Sequence, residues 1–145
     1  MLPVAYVDIR FSAHATEDVN KVVAAVRNIL PTEEDEEFEY NQSVVEGHYG
    51  NPITFFEARI DDSKLISRLI ENLAANLSSL DKEELTREIN RCVEKGNLYI
   101  RLDKQTAFLG KLKLVTSDPI RVRIRFRKSK LEDVIQICKE FGLIT

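Results

Sequence analysis

The octapeptide Ile120-Arg121-Val122-Arg123-Ile124-Arg125-Phe126-Arg127 carries an arginine at every second position. In a β-strand, successive side chains point to opposite faces. Ile120, Val122, Ile124 and Phe126 then face a core. Arg121, Arg123, Arg125 and Arg127 stand in a row on the other side, with Lys128 and Lys130 just beyond. Same-face neighbours are about 6.6 Å apart, close to the phosphate spacing of an extended nucleic-acid strand. Guanidiniums in one row repel each other, so an anion must answer them. A phosphate backbone is the preferred reading. A ladder of cross-strand carboxylates, some from the acidic run at 33–37, is the alternative.

A second cluster lies in Asn97-Leu98-Tyr99-Ile100-Arg101-Leu102-Asp103-Lys104-Gln105. Tyr99, Arg101 and Asp103 share the face away from the core, and Lys104 and Gln105 sit at the strand's end. An exposed aromatic ring beside Arg, Lys and Gln suits a splayed-out base, stacked and hydrogen-bonded. The structural alternative pairs Arg101 with Asp103 and packs Tyr99 under a loop. The third feature is the loop Gly47-His48-Tyr49-Gly50-Asn51-Pro52. Its glycines and proline serve the turn. Asn51 can recognise a base edge or a phosphate, and His48 can act as an acid or base.

Nothing else in the chain points to catalysis. It holds no nucleophile elbow, phosphate-binding loop or zinc spacing, so no catalytic residue, metal ligand or cofactor is expected. Asp61-Asp62 reads as a helix cap. Cys92 and Cys138 fall on apolar helix faces and read as inert, reduced thiols. The run Glu33-Glu34-Asp35-Glu36-Glu37 reads as an exposed, mobile, solvated segment.

Charge is distributed unevenly. Residues 1–100 hold 10 Lys and Arg against 19 Asp and Glu, net −9; residues 101–145 hold 11 against 5, net +6. The overall −3 conceals a basic C-terminal third that fits a polyanionic partner or self-association. With 145 residues, 43% hydrophobic and 31% charged, the chain reads as a single domain over 1–145, too apolar for disorder. The longest apolar run, Val22 to Val26, is far too short to span a membrane. A cytoplasmic protein is expected.

Periodicity supplies the elements that position these groups. Val7, Ile9 and Phe11 alternate with polar residues as a half-buried strand. Thr16 is the expected N-cap of a helix with Val19, Val22, Val23, Val26 and Leu30 inward, stopped at Pro31. Strands follow over Phe38 to Val45 and Ile53 to Ile60. Two helices carry Leu65 to Leu77 and Leu85 to Val93, the second opened by Asp81 and Glu84 and closed by Gly96. Leu98 to Leu102 is a strand, with a hairpin around Phe108-Leu109-Gly110 leading to Leu112 and Leu114. After the arginine strand, Ser129 and Glu132 cap a last helix. The order β-α-β-β-α-α-β-β-β-α predicts an α+β two-layer sandwich, one mostly antiparallel sheet with helices on one face.

Three segments together resemble a known family: Ala13-His14-Ala15-Thr16-Glu17-Asp18; Gly47-His48-Tyr49-Gly50-Asn51-Pro52-Ile53; and Leu98 to Gln105 followed by Gly110 and Asp118-Pro119-Ile120. The chain resembles, over nearly its whole length, a conserved archaeal family of predicted RNA-binding proteins and predicted exosome subunits. That resemblance implies a fold like ribosomal large-subunit protein five, an archaeal, cytoplasmic setting, and no established catalytic residues. The resulting expectation is a non-enzymatic RNA-binding protein, accessory to RNA processing or degradation. Its partners would be single-stranded RNA and RNA-processing proteins. Arg121, Arg123, Arg125 and Arg127 would hold phosphates; Arg101, Lys104, Gln105, His48 and Asn51 would meet bases or ribose. The alternatives are a structural homodimer joining acidic to basic parts, and a small hydrolase or nuclease using His48.

Overall fold

The computed structural model describes residues 2–30, 40–47 and 50–145. The acidic run at 33–37 and His48 lie outside the described residues. The elements are β1 (Val4–His14), α1 (Val19–Ile29), β2 (Asn41–Glu46), β3 (Pro52–Ile60), α2 (Ser63–Asn76) and α3 (Ser79–Arg87). They continue with α4 (Ile89–Cys92), β4 (Val93–Glu94), β5 (Asn97–Leu102), α5 (Lys104–Phe108), β6 (Ile120–Phe126) and α6 (Leu131–Phe141). The strands form a six-stranded sheet in the order β2-β3-β1-β6-β5-β4, antiparallel throughout. The α+β architecture expected from the pattern is the one found.

The core follows from alternation. Val7, Ile9 and Phe11 of β1 are buried, with Phe56, Ala58 and Ile60 of β3, Leu98, Ile100 and Leu102 of β5, and Ile120, Val122, Ile124 and Phe126 of β6. Against that face the helices bury Val22, Ala25, Val26 and Ile29 of α1, Ile66, Leu69, Ile70 and Leu73 of α2, and Val134 and Cys138 of α6. Each is an amphipathic stripe at helical spacing. Asn72 ties two of these helices together. Its amide donates to the carbonyls of Asn28 and Ile29 in the last turn of α1, where intrahelical donors run out. Burial pushes the Cys138 thiol up to about 12, so it stays protonated and inert.

Local chemistry corrects four expected boundaries. Asp18, not Thr16, caps α1: its carboxylate accepts from the Asn20 amide at 2.9 Å. Ser78 caps α3, ahead of the expected Asp81. Helix α6 starts after Lys130 with no side-chain cap, so Ser129 does not serve. The helix expected over Leu85 to Val93 divides at Glu88, the C-cap of α3, and its last turn, α4, stops at Cys92. Lys95 (φ 50°) and Gly96 (φ 82°) form a two-residue reversal that sends β4 back onto β5. Two positive φ values are what a tight hairpin needs. The hairpin expected at Phe108-Leu109-Gly110 is instead the exit from α5, which Asp103 nucleates by accepting from the Thr106 amide at 3.0 Å. An isolated bridge from Leu114 to Leu102 is what remains of the extra strand. The cap correction is testable. Asp18→Ala should cost about 1 kcal/mol in a denaturant melt, and Thr16→Ala less than about 0.5 kcal/mol.

Candidate functional site

Among the described residues the sheet's second face carries no helical layer, and its side chains are fixed by register, since directly opposed residues share a face. Arg10 of β1 lies opposite Arg121 of β6, and Arg121 lies opposite Arg101 of β5. Three guanidiniums therefore stand side by side across three strands. Glu57 of β3 closes the row at one end, 3.1 Å from Arg10. Among the described residues, Arg121 and Arg101 have no hydrogen-bond or ion-pair partner, and both are exposed. Like charges directly opposed in a sheet destabilise it by a few tenths of a kcal/mol each. The fold bears that cost in the middle of its sheet.

The next row has its own counterion. Arg59, Asp8 and Arg123 lie opposite one another on β3, β1 and β6. The Asp8 carboxylate is only 1% exposed although it sits on the uncovered face. Arg59 donates to it at 2.8 and 3.1 Å, and Arg123 donates from the other side. The Arg59 guanidinium lies 4.0 Å from the Tyr6 ring centre, and Tyr6 helps roof the group. Burial pushes the Asp8 carboxyl up, but the hydrogen bonds and charges of Arg59 and Arg123 outweigh it and hold it below the ordinary range. Arg125 donates to the Lys95 carbonyl and Arg127 to the Leu2 carbonyl at 3.0 Å. Those bonds orient the two side chains, and among the described residues neither has a carboxylate partner.

The four arginines read from the sequence thus divide. Arg123 is half-buried on an internal carboxylate, Arg125 and Arg127 are tethered to backbone, and Arg121 is free among the described residues. Counting strand residues on this face by register, six guanidiniums (Arg10, Arg59, Arg101, Arg121, Arg123, Arg125) meet three carboxylates, Asp8, Glu57 and Glu94.

Lys104 is drawn inward. It is 9% exposed, and its ammonium donates to the Ser12 carbonyl at 2.6 Å, Asp118 at 2.9 Å and Glu17 at 3.3 Å. The same cluster includes His14, whose Nε2 lies 3.0 Å from Asp118. His14, Glu17 and Asp118 lie close enough together to hold a cation, and the Lys104 ammonium is the cation already bonded to both carboxylates. Burial raises the Asp118 carboxyl, while Lys104 and then His14 more than reverse that and hold it low. Gln105 is exposed on α5, and Asn51 is exposed beside β3, on the far side of the sheet from Gln105 and Arg101.

Two aromatic rings flank the basic rows on this face. Tyr99, opposite Arg123, is 38% exposed, and Phe55, opposite Ser12, is 45% exposed. Phe55 borders a cleft of about 450 Å³ with Arg10, Arg121, Asn41, Ser43 and Asp118. A second cleft of about 420 Å³ includes Tyr99 and Arg101, with Glu84, Glu88 and Arg91 also in its lining, so its two guanidiniums are matched by two carboxylates.

Arg10, Arg59, Asp8 and Phe55 were not singled out from the sequence. Alternation places each on the polar side of its strand, and a phenylalanine among Glu57 and Arg59 is itself a signal. What alternation cannot supply is which strands lie side by side. No helix of the described residues is long and apolar enough to cross a membrane.

A family model described as RNA binding matches residues 6–126. The chain is 36% identical over 140 residues to an RNA-binding protein of Pyrococcus abyssi, covering 92% of this chain and 90% of the relative. A crystal structure of a DUF54 protein from Archaeoglobus fulgidus is similar at a TM-score of 0.80 and 33% identity, over 95% of this chain and 99% of that one. A DUF54 protein from Methanothermobacter thermautotrophicus is similar at a TM-score of 0.78 and 27% identity, over 95% and 97%.

Proposed function

Because the chain belongs to the RNA-binding family that its residues 6–126 match, we propose that it binds single-stranded RNA on the uncovered face of its sheet. The observation that carries this reading is the row Arg10, Arg121, Arg101, an opposed set of charges with only Glu57 as an internal anion among the described residues. Phosphates spaced along a strand supply the missing negative charge, and Tyr99 and Phe55 supply faces on which bases stack. The name of the Pyrococcus abyssi relative, an RNA-binding protein, supports the same reading. Phosphate contacts position a strand without reading its sequence, so broad sequence tolerance is expected. Such a surface suits an accessory factor that presents RNA to processing or degrading enzymes, and we assign the chain no catalytic step of its own.

The test is a titration with fluorescein-labelled single-stranded RNA across a range of salt. Each phosphate contact on a single strand contributes about −0.7 to the slope of log affinity against log salt. Three arginines give an expected slope of about −2. A salt-independent affinity, or none, would overturn the assignment.

A further inference from the structure

We propose that the cleft beside Phe55 takes one unpaired nucleobase, stacked on the Phe55 ring, with its adjoining phosphate on Arg10 and Arg121. This rests on the RNA-binding reading of the same face and names what the face recognises there.

The cleft is a place rather than a flat patch. Its volume of about 450 Å³ falls in the range of small-molecule sites, about 300–1,000 Å³. Phe55 lies opposite Ser43 on one side and Ser12 on the other. Both neighbours are small, so the ring stands uncovered, and it is 45% exposed. Its chain neighbour Phe56 shows the contrast: it points inward, is 2% exposed, and stacks on Phe11 at 4.8 Å between ring centres. Phe55 has no such partner ring among the described residues. A base would cover it at the separation and orientation aromatic faces prefer.

The rim chemistry fits a nucleotide. Ser43 and Asn41 offer hydroxyl and amide groups, donors and acceptors both, at the height of a base edge. Arg10 sits two residues along β1 from Ser12, and Arg121 lies directly opposite Arg10. Two residues along a strand is about 6.6 Å, roughly the distance from a base to its own phosphate. Arg121 is free among the described residues to take that phosphate. Asp118, beside Ser12, has its charge answered by Lys104 and His14. Glu57 also lines the cleft and pairs with Arg10 at 3.1 Å, so the phosphate end of the nucleotide lies toward Arg121. A base within a duplex is paired and stacked on both sides and cannot enter.

The chain contains no tryptophan, so Phe55→Trp introduces its sole indole. Emission of this variant should be quenched by a single-stranded octanucleotide RNA and unchanged by a blunt duplex of the same sequence. Phe55→Leu, which keeps an apolar side chain but loses the ring, should bind the octanucleotide roughly 5- to 150-fold more weakly. Its salt slope should match the wild type, because stacking carries no charge. Circular dichroism melts check that both variants fold. Salt-dependent binding with unquenched indole and an unaffected Phe55→Leu variant overturns the base site while leaving the RNA face intact. Quenching by adenosine or uridine monophosphate but not by the octanucleotide overturns it in favour of a free-nucleotide site. Absence of salt-dependent binding by the wild type overturns the RNA reading and the base site with it.

Discussion

Replacing Asp8 with asparagine is expected to lower the melting temperature by roughly 6–10 °C. The change keeps the shape of the side chain and removes one negative charge from between Arg59 and Arg123. Removing one member of a buried ion pair costs about 3–5 kcal/mol. Both arginines reach partly into solvent here, so about 2–3 kcal/mol is the reasonable share, and the temperature shift follows from the size of the domain. The pH dependence has a definite sign. The folded-state pKa of Asp8 is depressed relative to about 3.9 in the unfolded chain. Its stabilisation is therefore complete above about pH 4 and disappears as pH falls through the folded value. Urea melts of the two proteins should differ most at neutral pH and converge in acid. A constant difference across that range would mean that the ionisation of Asp8 does not carry the effect. RNA affinity should not fall with this variant, because the substitution removes an anion from the binding face.

Replacing Arg101 and Arg121 together with glutamine should produce the opposite pattern. These two side chains have no partner to lose among the described residues and lie directly opposite each other. Relief of their repulsion should leave stability unchanged or raise it by up to about 1 kcal/mol. Binding should suffer. A hydrogen bond to a charged group contributes about 1.5–3 kcal/mol, so two lost phosphate contacts weaken binding by about 3 kcal/mol, roughly 100-fold. The salt slope should move from about −2 to about −0.7, with no change in sequence preference. Anisotropy titrations beside thermal melts read both quantities. A variant that melts lower and binds with an unaltered slope would show these arginines to be structural.

What the sequence disclosed, and what it withheld, has a physical division. The alternation in Ile120 to Arg127 and in Leu98 to Leu102 is a local property, and it assigned each residue's face as the structure has it. The stripe of α1 was legible for the same reason, save that Val19, expected inward, is 39% exposed. Caps were read less well, because Thr16, Asp18, Ser78 and Asp81 are all competent and only the geometry of the entering chain selects among them. The site was half visible. Arg101 and Arg121 could be named, yet their alignment in one row with Arg10 is a matter of pairing between strands about a hundred positions apart. The fate of Arg123 depends on Asp8, 115 residues away. Lys104 looked like a surface cation because the acceptors that draw it inward come from β1, from the turn before α1 and from the turn before β6.

The sheet order carries one more consequence, for the life of the chain before it is whole. β1 is made before the other strands of its sheet and lies between β3 and β6. Its second flank is completed only when residues 120–126 exist. At a synthesis rate of about 5–20 residues per second, Val7, Ile9 and Phe11 wait roughly 6–25 s for their last neighbour. During that interval the nascent segment has an open edge and exposed apolar side chains, a condition that invites pairing with other chains. Slowing translation between β3 and β6 should therefore increase aggregation of this protein more than an equal pause after residue 126.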